Sequence, residues 1–161
     1  MPATTTRVID SPLGPLQLVA TGPQLSAIHF PDRHRAYTQD TAASPVLARA
    51  SLQLAEYFAG QRRAFDLPLA AGGTAFQQAV WQALREIPWG ELRSYRDIAC
   101  ALQNPRAVRA VGAANGRNPL PIVVPCHRVI GANGSLTGFA GGLEAKKLLL
   151  ELEGSLPTSG R

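Results

Sequence analysis

The sequence predicts an α+β fold in two parts, a small N-terminal α/β domain followed by a mainly helical domain that contains a helix-turn-helix. Apolar residues form 45% of the 161 residues, which favours a packed interior over disorder. Strand patterns separated by turns lie in the first part, whereas capped helical patterns dominate the second. The small, Gly-rich segment 70–73 is the expected linker. We therefore assign residues 1–70 to the first domain, 74–154 to the second and 155–161 to a flexible tail.

In the first domain we predict four strands, one loop and one helix. The turn signals Ser11-Pro12-Leu13-Gly14 and Gly22-Pro23 separate the first three strands. Apolar and polar residues alternate in the second strand, which is typical of a half-buried strand. Apolar residues recur at helical spacing before Gly60, which suits a C-terminal helix cap. The predicted strands are 7–10, 16–20, 25–30 and 63–69, the loop is 31–44, and the helix is 45–59.

In the second domain we predict four helices. Thr74 and Ser94 are of the residue types preferred at N-caps, and Asn104-Pro105 combines a preferred cap with a proline at the first helical position. The second and third helices are short and joined by a tight turn, which is the helix-turn-helix pattern. The predicted helices are 75–87, 95–102, 105–114 and 143–153, and the Gly- and Pro-rich stretch 118–142 is expected to form loops and short strands.

The charge and the cysteine count limit the classes of function. The 16 Lys and Arg exceed the 11 Asp and Glu by five, and only Lys146 and Lys147 are lysines, so the cations are mainly guanidinium groups that suit phosphate. This charge agrees with nucleic-acid binding without establishing it. The chain has no apolar run of membrane-spanning length and no secretory signal, so we expect a cytoplasmic protein with no membrane partner. Its two cysteines and three histidines lack metal-ligand spacing, so we expect no metal site.

The segment Pro125-Cys126-His127-Arg128 carries the clearest chemical signal. A thiol attacks as its thiolate and is mostly protonated near neutral pH, so a nucleophilic cysteine needs a base such as the adjacent histidine. Adjacency does not prove contact, and Cys126 also suits a buried core position after the apolar run 122–124. We interpret the other cysteine, Cys100, as a core residue on the apolar side of a short helix.

Several motifs accompany this segment at compatible spacings. They are Pro125-Cys126-His127-Arg128-Val129-Ile130, Arg109-Ala110-Val111-Gly112, Asn118-Pro119, Gly141-Gly142-Leu143, Lys146 and Glu153-Gly154. Together they resemble the O6-alkylguanine-DNA alkyltransferases, also called methylated-DNA–protein-cysteine methyltransferases, and so many motifs in one chain are very specific. The resemblance is strong from 74 to 154. The first part is similar to the less uniform N-terminal domain of that family through 11–14 and 57–60.

The resemblance implies a fold and a function. It implies an RNase H-like fold for the first domain and a winged-helix, helix-turn-helix fold for the DNA-binding domain. It implies direct-reversal DNA repair, in which the alkyl group of O6-alkylguanine, and of O4-alkylthymine, moves irreversibly to Cys126 after the nucleotide is flipped out. Each molecule would act once, with no cofactor. The expected partner is double-stranded DNA containing O6-alkylguanine, and the expected state is a monomer, with cooperative binding along DNA left open.

The resemblance also assigns roles around Cys126. His127 would act as its base through a bridging water, and Glu153 would hold and polarise His127. Asn118 would brace the active-site segment against the recognition helix. The residues alone leave other interpretations open, because Asn118 suits a plain Asn-Pro turn and Glu153 suits a solvated helix end. A carboxylate at a helix C-terminus nevertheless faces an unfavourable dipole and needs a compensating partner, such as an imidazolium.

Five residues would contact DNA in such a protein. Arg109 would enter the duplex and fill the space left by the extruded nucleotide, and Tyr95 would contact the flipped guanine. Ser94, Ala110 and Gly112 would complete the contact surface, since small residues let a helix lie close to a groove. From the residues alone, Arg109 suits a solvated or phosphate-bound arginine and Tyr95 a half-buried aromatic.

The guanine pocket would be formed mainly by backbone groups. The carbonyl groups of Cys126 and Val129 would bind the guanine amino group, and the N–H near Ala140 would donate to the guanine oxygen. Phe139 stands where the family often has Tyr, so the apolar wall remains but a hydroxyl hydrogen bond is lost. The glycines of segment 138–142 would allow close approach of the chain to the base.

Three other functions are weighed against this one. Alkyltransferase-like proteins bind such lesions but lack the acceptor cysteine, so Cys126 argues against that class. A helix-turn-helix regulator without chemistry would leave the segment 125–128 and Glu153 unexplained. A cysteine hydrolase needs an oxyanion hole and a route for turnover, and the sequence indicates neither.

Overall fold

The structure is a computed structural model that describes residues 4–36, 44–131, 134, 136, 139 and 141–156. The chain divides into two compact units, Met1–Gly72 and Gly73–Arg161. Within the described residues no helix is long and apolar enough to cross a membrane.

The first unit contains a three-stranded antiparallel sheet in the order β1-β2-β3. Its strands are β1 (Thr4–Ile9), β2 (Leu16–Thr21) and β3 (Gln24–His29), with a bulge between Val19 and Ala20. We predicted that β2 is half-buried, and this is wrong, because both of its faces are buried along Leu16–Ala20. Its polar residue Gln17 is accommodated by two hydrogen bonds to the backbone of Arg35, at 2.7 and 2.8 Å.

One helix, α1 (Pro45–Phe58), packs on this sheet. Ser44 caps it by accepting from the N–H of Leu47 at 3.3 Å, and Gly60 follows its end with φ 78°. A short 3-10 turn, Pro31–Arg33, lies within the stretch that we predicted as loop. The predicted fourth strand over 63–69 is wrong. Only an isolated bridge joins Leu25 to Leu69, and Pro68 has no N–H with which to extend a ladder.

The second unit begins with helix α2 (Ala75–Arg85), which ends two residues before the predicted boundary. Thr74 and Gln77 form a reciprocal capping box at its start. Gly73 lies against the ring of Trp81, where a Cβ would come within 2.6 Å of the indole. The indole N–H of Trp81 donates to the carbonyl oxygen of Ala114 at 2.8 Å, which ties α2 to the end of helix α4 (Val108–Gly116).

Helices α3 (Tyr95–Ala101) and α4 form the predicted helix-turn-helix. Ser94 caps α3 in a reciprocal box with Asp97. The predicted start of α4 at Asn104-Pro105 is wrong. Asn104 closes a separate turn by accepting from the N–H of Ala107 at 3.0 Å, and the helix begins at Val108 without a side-chain cap.

The remaining elements bring the active-site segment next to the last helix. A two-residue parallel pair joins β4 (Arg93–Ser94) to β5 (Val129–Ile130), and a 3-10 turn, Cys126–Arg128, leads directly into β5. Helix α5 (Leu143–Leu152) packs against that turn. The helix ends one residue earlier than predicted, so Glu153 is its C-cap residue.

Candidate active site

Cys126 begins the 3-10 turn and is buried, with 5% of its surface exposed. Pro125 precedes Cys126 in the chain. The backbone N–H of Cys126 donates to the carbonyl oxygen of Val124 at 2.7 Å. Burial raises the pKa of the Cys126 thiol from 9.0 to about 11. A hydrogen bond from Asn118 and the positive charge of Lys146 act in the opposite direction and lower that pKa. The resting thiol is therefore protonated at neutral pH, and its two neighbours favour the thiolate once the proton leaves.

His127 and Glu153 form a fully buried pair. Nε2 of His127 lies 2.7 Å from Oε2 of Glu153, and neither side chain is exposed. Nδ1 of His127 is also buried and has no hydrogen-bond partner among the described residues. A neutral imidazole whose Nε2–H donates to Glu153 keeps its lone pair on Nδ1. Burial lowers the pKa of His127, and Glu153 offsets part of that effect, so the ring is neutral and can accept a proton.

Arg128 is a member of this site that our sequence analysis did not assign. Its Nε donates to Oε1 of Glu153 at 2.8 Å, and its Nη2 donates to Oε2 at 3.0 Å. Its Nη1 donates to the carbonyl oxygen of Ile87, just beyond the end of α2, at 2.5 Å. From the sequence we expected the carboxylate at the end of α5 to have a cationic partner, and we assigned that role to His127. The guanidinium supplies that charge instead.

Asn118 braces the chain that leads to Cys126. Its Nδ2 donates to the carbonyl oxygen of Val124 at 2.8 Å, and its Oδ1 accepts from the N–H of Leu120 at 3.0 Å. Between these two contacts lies Ile122 with φ 77°, a conformation that a β-branched residue rarely adopts. The two hydrogen bonds hold the ends of a strained turn in place, two residues before the nucleophile.

Two further buried residues meet the backbone of this segment. Nδ2 of Asn115, near the end of α4, lies 3.5 Å from the carbonyl oxygen of Cys126. Nζ of Lys146, which is fully buried, donates to the carbonyl oxygen of Val129 at 2.7 Å. Burial lowers the pKa of Lys146 to about 8. The two carbonyl groups predicted to bind guanine therefore each face a buried nitrogen. We did not predict a role for Asn115 at this site, because the pair Asn115-Gly116 is typical of the end of a helix.

The predicted DNA-contacting residues lie on α3 and α4, apart from Ser94, which ends β4 beside β5 and caps α3. Arg109 and Ala110 are exposed on α4, and Tyr95 is half-buried at the start of α3. Gly112 lies beside Tyr95, where a Cβ would come within 3.9 Å of the ring. The hydroxyl of Ser94 is engaged as the α3 cap.

The remaining predicted residues are only partly described. Phe139 is half-buried, and its carbonyl oxygen accepts from the N–H of Gly142 at 2.9 Å. Ala140 and Gly138 lie outside the described residues. Cys100 is exposed, so its interpretation as a core residue is wrong. In the part of the chain that the structure covers, no group of three or more His, Cys, Asp or Glu could hold a metal ion.

Two profiles of one family match almost the whole chain. The 6-O-methylguanine DNA methyltransferase DNA binding domain matches residues 75–155, and the 6-O-methylguanine DNA methyltransferase ribonuclease-like domain matches residues 5–71. The chain belongs to the 6-O-methylguanine DNA methyltransferase family. This confirms the family that the motifs indicated and the predicted fold class of a ribonuclease-like domain followed by a DNA-binding domain.

Named relatives are similar over nearly their full length. The methylated-DNA–protein-cysteine methyltransferase of Methanosarcina acetivorans is 49% identical over 151 residues, which cover 92% of this chain and 97% of the relative. The protein of the same name from Mycobacterium tuberculosis is 50% identical over 151 residues and covers 92% of each chain. The crystal structure of M. tuberculosis OGT in complex with DNA matches with a TM-score of 0.88 at 48% identity, over 94% of this chain and 93% of that one.

Proposed function

We propose that this chain repairs O6-alkylguanine in duplex DNA by moving the alkyl group onto Sγ of Cys126, and that each molecule reacts once. The observation that carries this proposal is a buried thiol next in sequence to a His127–Glu153 pair whose Nδ1 is unpaired. Membership of the family supports the same chemistry, since its similar relatives are named methylated-DNA–protein-cysteine methyltransferases.

The proposed reaction is a direct displacement. Sγ of Cys126 attacks the alkyl carbon, a bond between sulfur and carbon forms, and the bond between that carbon and O6 breaks with its electron pair going to the base. The thiol proton passes to Nδ1 of His127 through a bridging water, and the departing guanine takes up one proton, with the Tyr95 hydroxyl as its immediate donor. Solvent then returns a proton to Tyr95 and takes up the one that His127 accepted, so no net proton is gained or lost. A thioether offers no easy leaving group, so Cys126 is not regenerated.

The state of the resting groups fits proton transfer during attack. The pKa of Cys126 is raised and that of His127 is lowered, so the unreacted protein holds a thiol beside a neutral imidazole. A protonated thiol is a weak nucleophile towards stray electrophiles. Activation then depends on alignment of an alkyl carbon with Sγ, in a site where Asn118 and Lys146 stabilise the developing thiolate.

In this proposal the helix-turn-helix brings the alkylated base out of the duplex and towards Cys126. Chemistry on a base requires that base outside the stack, at a cost of a few kcal/mol. We propose that Arg109 enters the stack from exposed α4 and offsets part of this cost, because a planar guanidinium can stack on bases. Tyr95 and Ser94 at the start of α3, with Ala110 and Gly112 on α4, would form the adjacent surface.

The finer assignments are part of the same proposal. Val129 and Cys126 would bind the guanine amino group through carbonyl oxygens, and Phe139 and Ala140 would form the wall and a backbone donor. Asn118 would hold the segment in register. We expect the protein to accept O4-alkylthymine as well, to act as a monomer in the cytoplasm, and to need no cofactor.

The test is to locate the alkyl group. The protein is incubated with a duplex oligonucleotide containing O6-methylguanine, and intact and peptide masses are recorded. We expect one added methyl group on the peptide that contains Cys126, and unmodified guanine in the DNA. Cys100→Ser should react like the wild type, whereas Cys126→Ser should not react. A methyl group on any other residue, or DNA binding without transfer, would overturn the proposal.

A further inference from the structure

Arg128 is a buried cation to which the proposed reaction gives no role. It is 5% exposed and makes three hydrogen bonds, two of them to the carboxylate of Glu153 and one to the carbonyl oxygen of Ile87. Oε2 of Glu153 is shared, because it also faces Nε2 of His127 at 2.7 Å. The guanidinium and the imidazole therefore meet on one carboxylate.

The charges around His127 oppose one another. Among the described residues, Glu153 favours a charged imidazolium, whereas Arg128 and Lys146 disfavour it. Cys126, the preceding residue, is an uncharged thiol in the resting site. A buried carboxylate facing an imidazole alone would draw a proton onto the ring, since an ion pair would satisfy the uncompensated negative charge. Arg128 already compensates that charge through a two-pronged contact.

The contact between Arg128 and Glu153 also fixes the orientation of the carboxylate relative to His127. Nε and Nη2 of Arg128 bind the two oxygens of Glu153 in parallel, which fixes the plane of the carboxylate and aims Oε2 at Nε2 of His127. The bond to Ile87 anchors the guanidinium from the opposite side. A lysine ammonium is a point charge and cannot reproduce this planar fork.

We infer that Arg128 is a positioning residue for alkyl transfer, which acts through Glu153 to keep His127 a neutral imidazole with its proton on Nε2 and its lone pair on Nδ1. This inference rests on the proposed function, in which Nδ1 accepts the thiol proton. Without Arg128 the site has two ways to relieve the bare carboxylate. Either His127 becomes an imidazolium, or Glu153 takes a proton and donates it to Nε2, which moves the ring proton to Nδ1. Both block Nδ1 as a base.

The first test needs no activity and is therefore independent of the proposed function. Histidines labelled with nitrogen-15 report directly whether Nδ1 carries a proton. The chain has three histidines, and His29→Gln with His34→Gln leaves the signal of His127 alone. We expect an unprotonated Nδ1 at neutral pH in the wild type and a protonated Nδ1 in Arg128→Met and Arg128→Gln, both of which remove the positive charge that compensates Glu153. An unprotonated Nδ1 in either folded variant would overturn the inference, and so would a protonated Nδ1 in the wild type.

The second test separates this role from simple stabilisation of the fold. The rate of alkyl transfer is measured against pH for the wild type and the Arg128 variants. If Arg128 keeps His127 neutral, the acid limb of the rate against pH should lie at higher pH in the Arg128 variants, by about one pH unit or more. At a pH on that limb this shift is about a tenfold loss of rate. A purely structural role would lower the rate at every pH and leave the limb in place, and that result would contradict the inference.

Two controls make the comparison specific. Arg62→Met removes an arginine paired with Glu56 at 2.7 Å in the first unit, and it should leave the limb and the His127 signal unchanged. In a Glu153→Gln background, Arg128→Met should cause no further shift of the limb, because the carboxylate through which Arg128 acts is gone. An equal shift in that background would show that Arg128 acts by another route. Arg128→Gln removes the charge but keeps an amide donor for Glu153, and it provides the readout if Arg128→Met does not fold.

Discussion

At the scale of single residues, the site depends on polar groups that replace water around a buried sulfur. Cys126 is almost completely enclosed, and burial opposes its ionisation. Asn118 is one of the two neighbours that favour the thiolate, and it also bonds two backbone groups of the segment before the nucleophile. One side chain thus supports both the shape of the turn and the chemistry of the thiol.

Asn118→Asp tests both contributions with little change of volume, because the two side chains have nearly the same shape. The carboxylate can still accept from the N–H of Leu120, but it cannot donate to the carbonyl oxygen of Val124 or to the thiol. We predict a loss of about 2–3 kcal/mol in the free energy of unfolding, since a buried carbonyl loses its donor. We also predict at least a tenfold slower reaction with free O6-benzylguanine, because a negative charge there raises the pKa of Cys126.

Urea unfolding and single-turnover rates measure the two effects. The exposed Asn104 in the helix-turn-helix provides a matched control, and Asn104→Asp should change neither quantity. Wild-type stability and rate in Asn118→Asp would show that the bracing contacts contribute nothing to the reaction.

Arg128 shows why part of the site could not be predicted at this scale. The motif identified Cys126, and the polarity of a helix end indicated that Glu153 needs a cation. Which cation reaches that carboxylate depends on how the turn Cys126–Arg128 packs against the end of α5, and spacing along the chain does not encode that contact. The exposed position of Cys100 was missed for a similar reason, since the apolar face of a seven-residue helix is poorly defined by its sequence.

At the scale of elements, the sequence predicted which segments are helical better than it predicted where each helix begins and ends. Side-chain caps identified the starts of α2 and α3, where Thr74 and Ser94 each form a reciprocal box. The start of α4 was missed because Asn104 closes a preceding turn, and a helix without a side-chain cap leaves no local signal. The strand expected over 63–69 was missed because its β-prone composition finds only one bridge to β3.

The exposed face of α4 supports a prediction about base delivery. Arg109 is exposed, so Arg109→Ala should leave the free energy of unfolding within about 0.5 kcal/mol of the wild type. It should slow repair of O6-methylguanine in duplex DNA by a factor of about ten or more, since unstacking costs a few kcal/mol that the guanidinium partly offsets. It should hardly affect the reaction with free O6-benzylguanine, which needs no extrusion.

Arg117 is the matched control, because it is exposed at the C-terminal end of the same helix. Arg117→Ala removes the same positive charge and should slow duplex repair much less. Equal losses on the duplex and the free base in Arg109→Ala, or equal losses in both variants, would argue against an extrusion role for Arg109.

At the scale of the whole molecule, the buried ionisable groups link stability to pH. Lys146 has its pKa lowered to about 8 from 10.5. Between these values the unfolded chain keeps a proton that the folded protein has released, so the free energy of unfolding rises with pH. Cys126 acts oppositely between 9.0 and about 11, because the folded protein keeps a proton that the unfolded chain releases.

In Lys146→Met, the rise of the unfolding free energy with pH should disappear, because Lys146 causes it. The fall that Cys126 causes should remain. We predict that the free energy of unfolding of the wild type changes little where the two effects overlap, whereas that of the variant falls, by at most about 1.4 kcal/mol per pH unit. Urea unfolding at a series of pH values measures both slopes. Lys147→Met, which alters the exposed neighbouring lysine, should follow the wild type, and parallel curves for Lys146→Met and the wild type would refute the linkage.

In the proposed reaction Cys126 is consumed as a reactant, and the amount of methyl group transferred tests this most directly. The protein is titrated with an excess of duplex DNA that carries a radiolabelled methyl group on O6 of guanine, and the label on the protein and the restored guanine are followed together. We predict that both stop at one methyl group per molecule of active protein, with all of the label on Cys126, and that fresh protein restarts the reaction. Restored guanine in excess of protein, or label that leaves Cys126 with time, would contradict it.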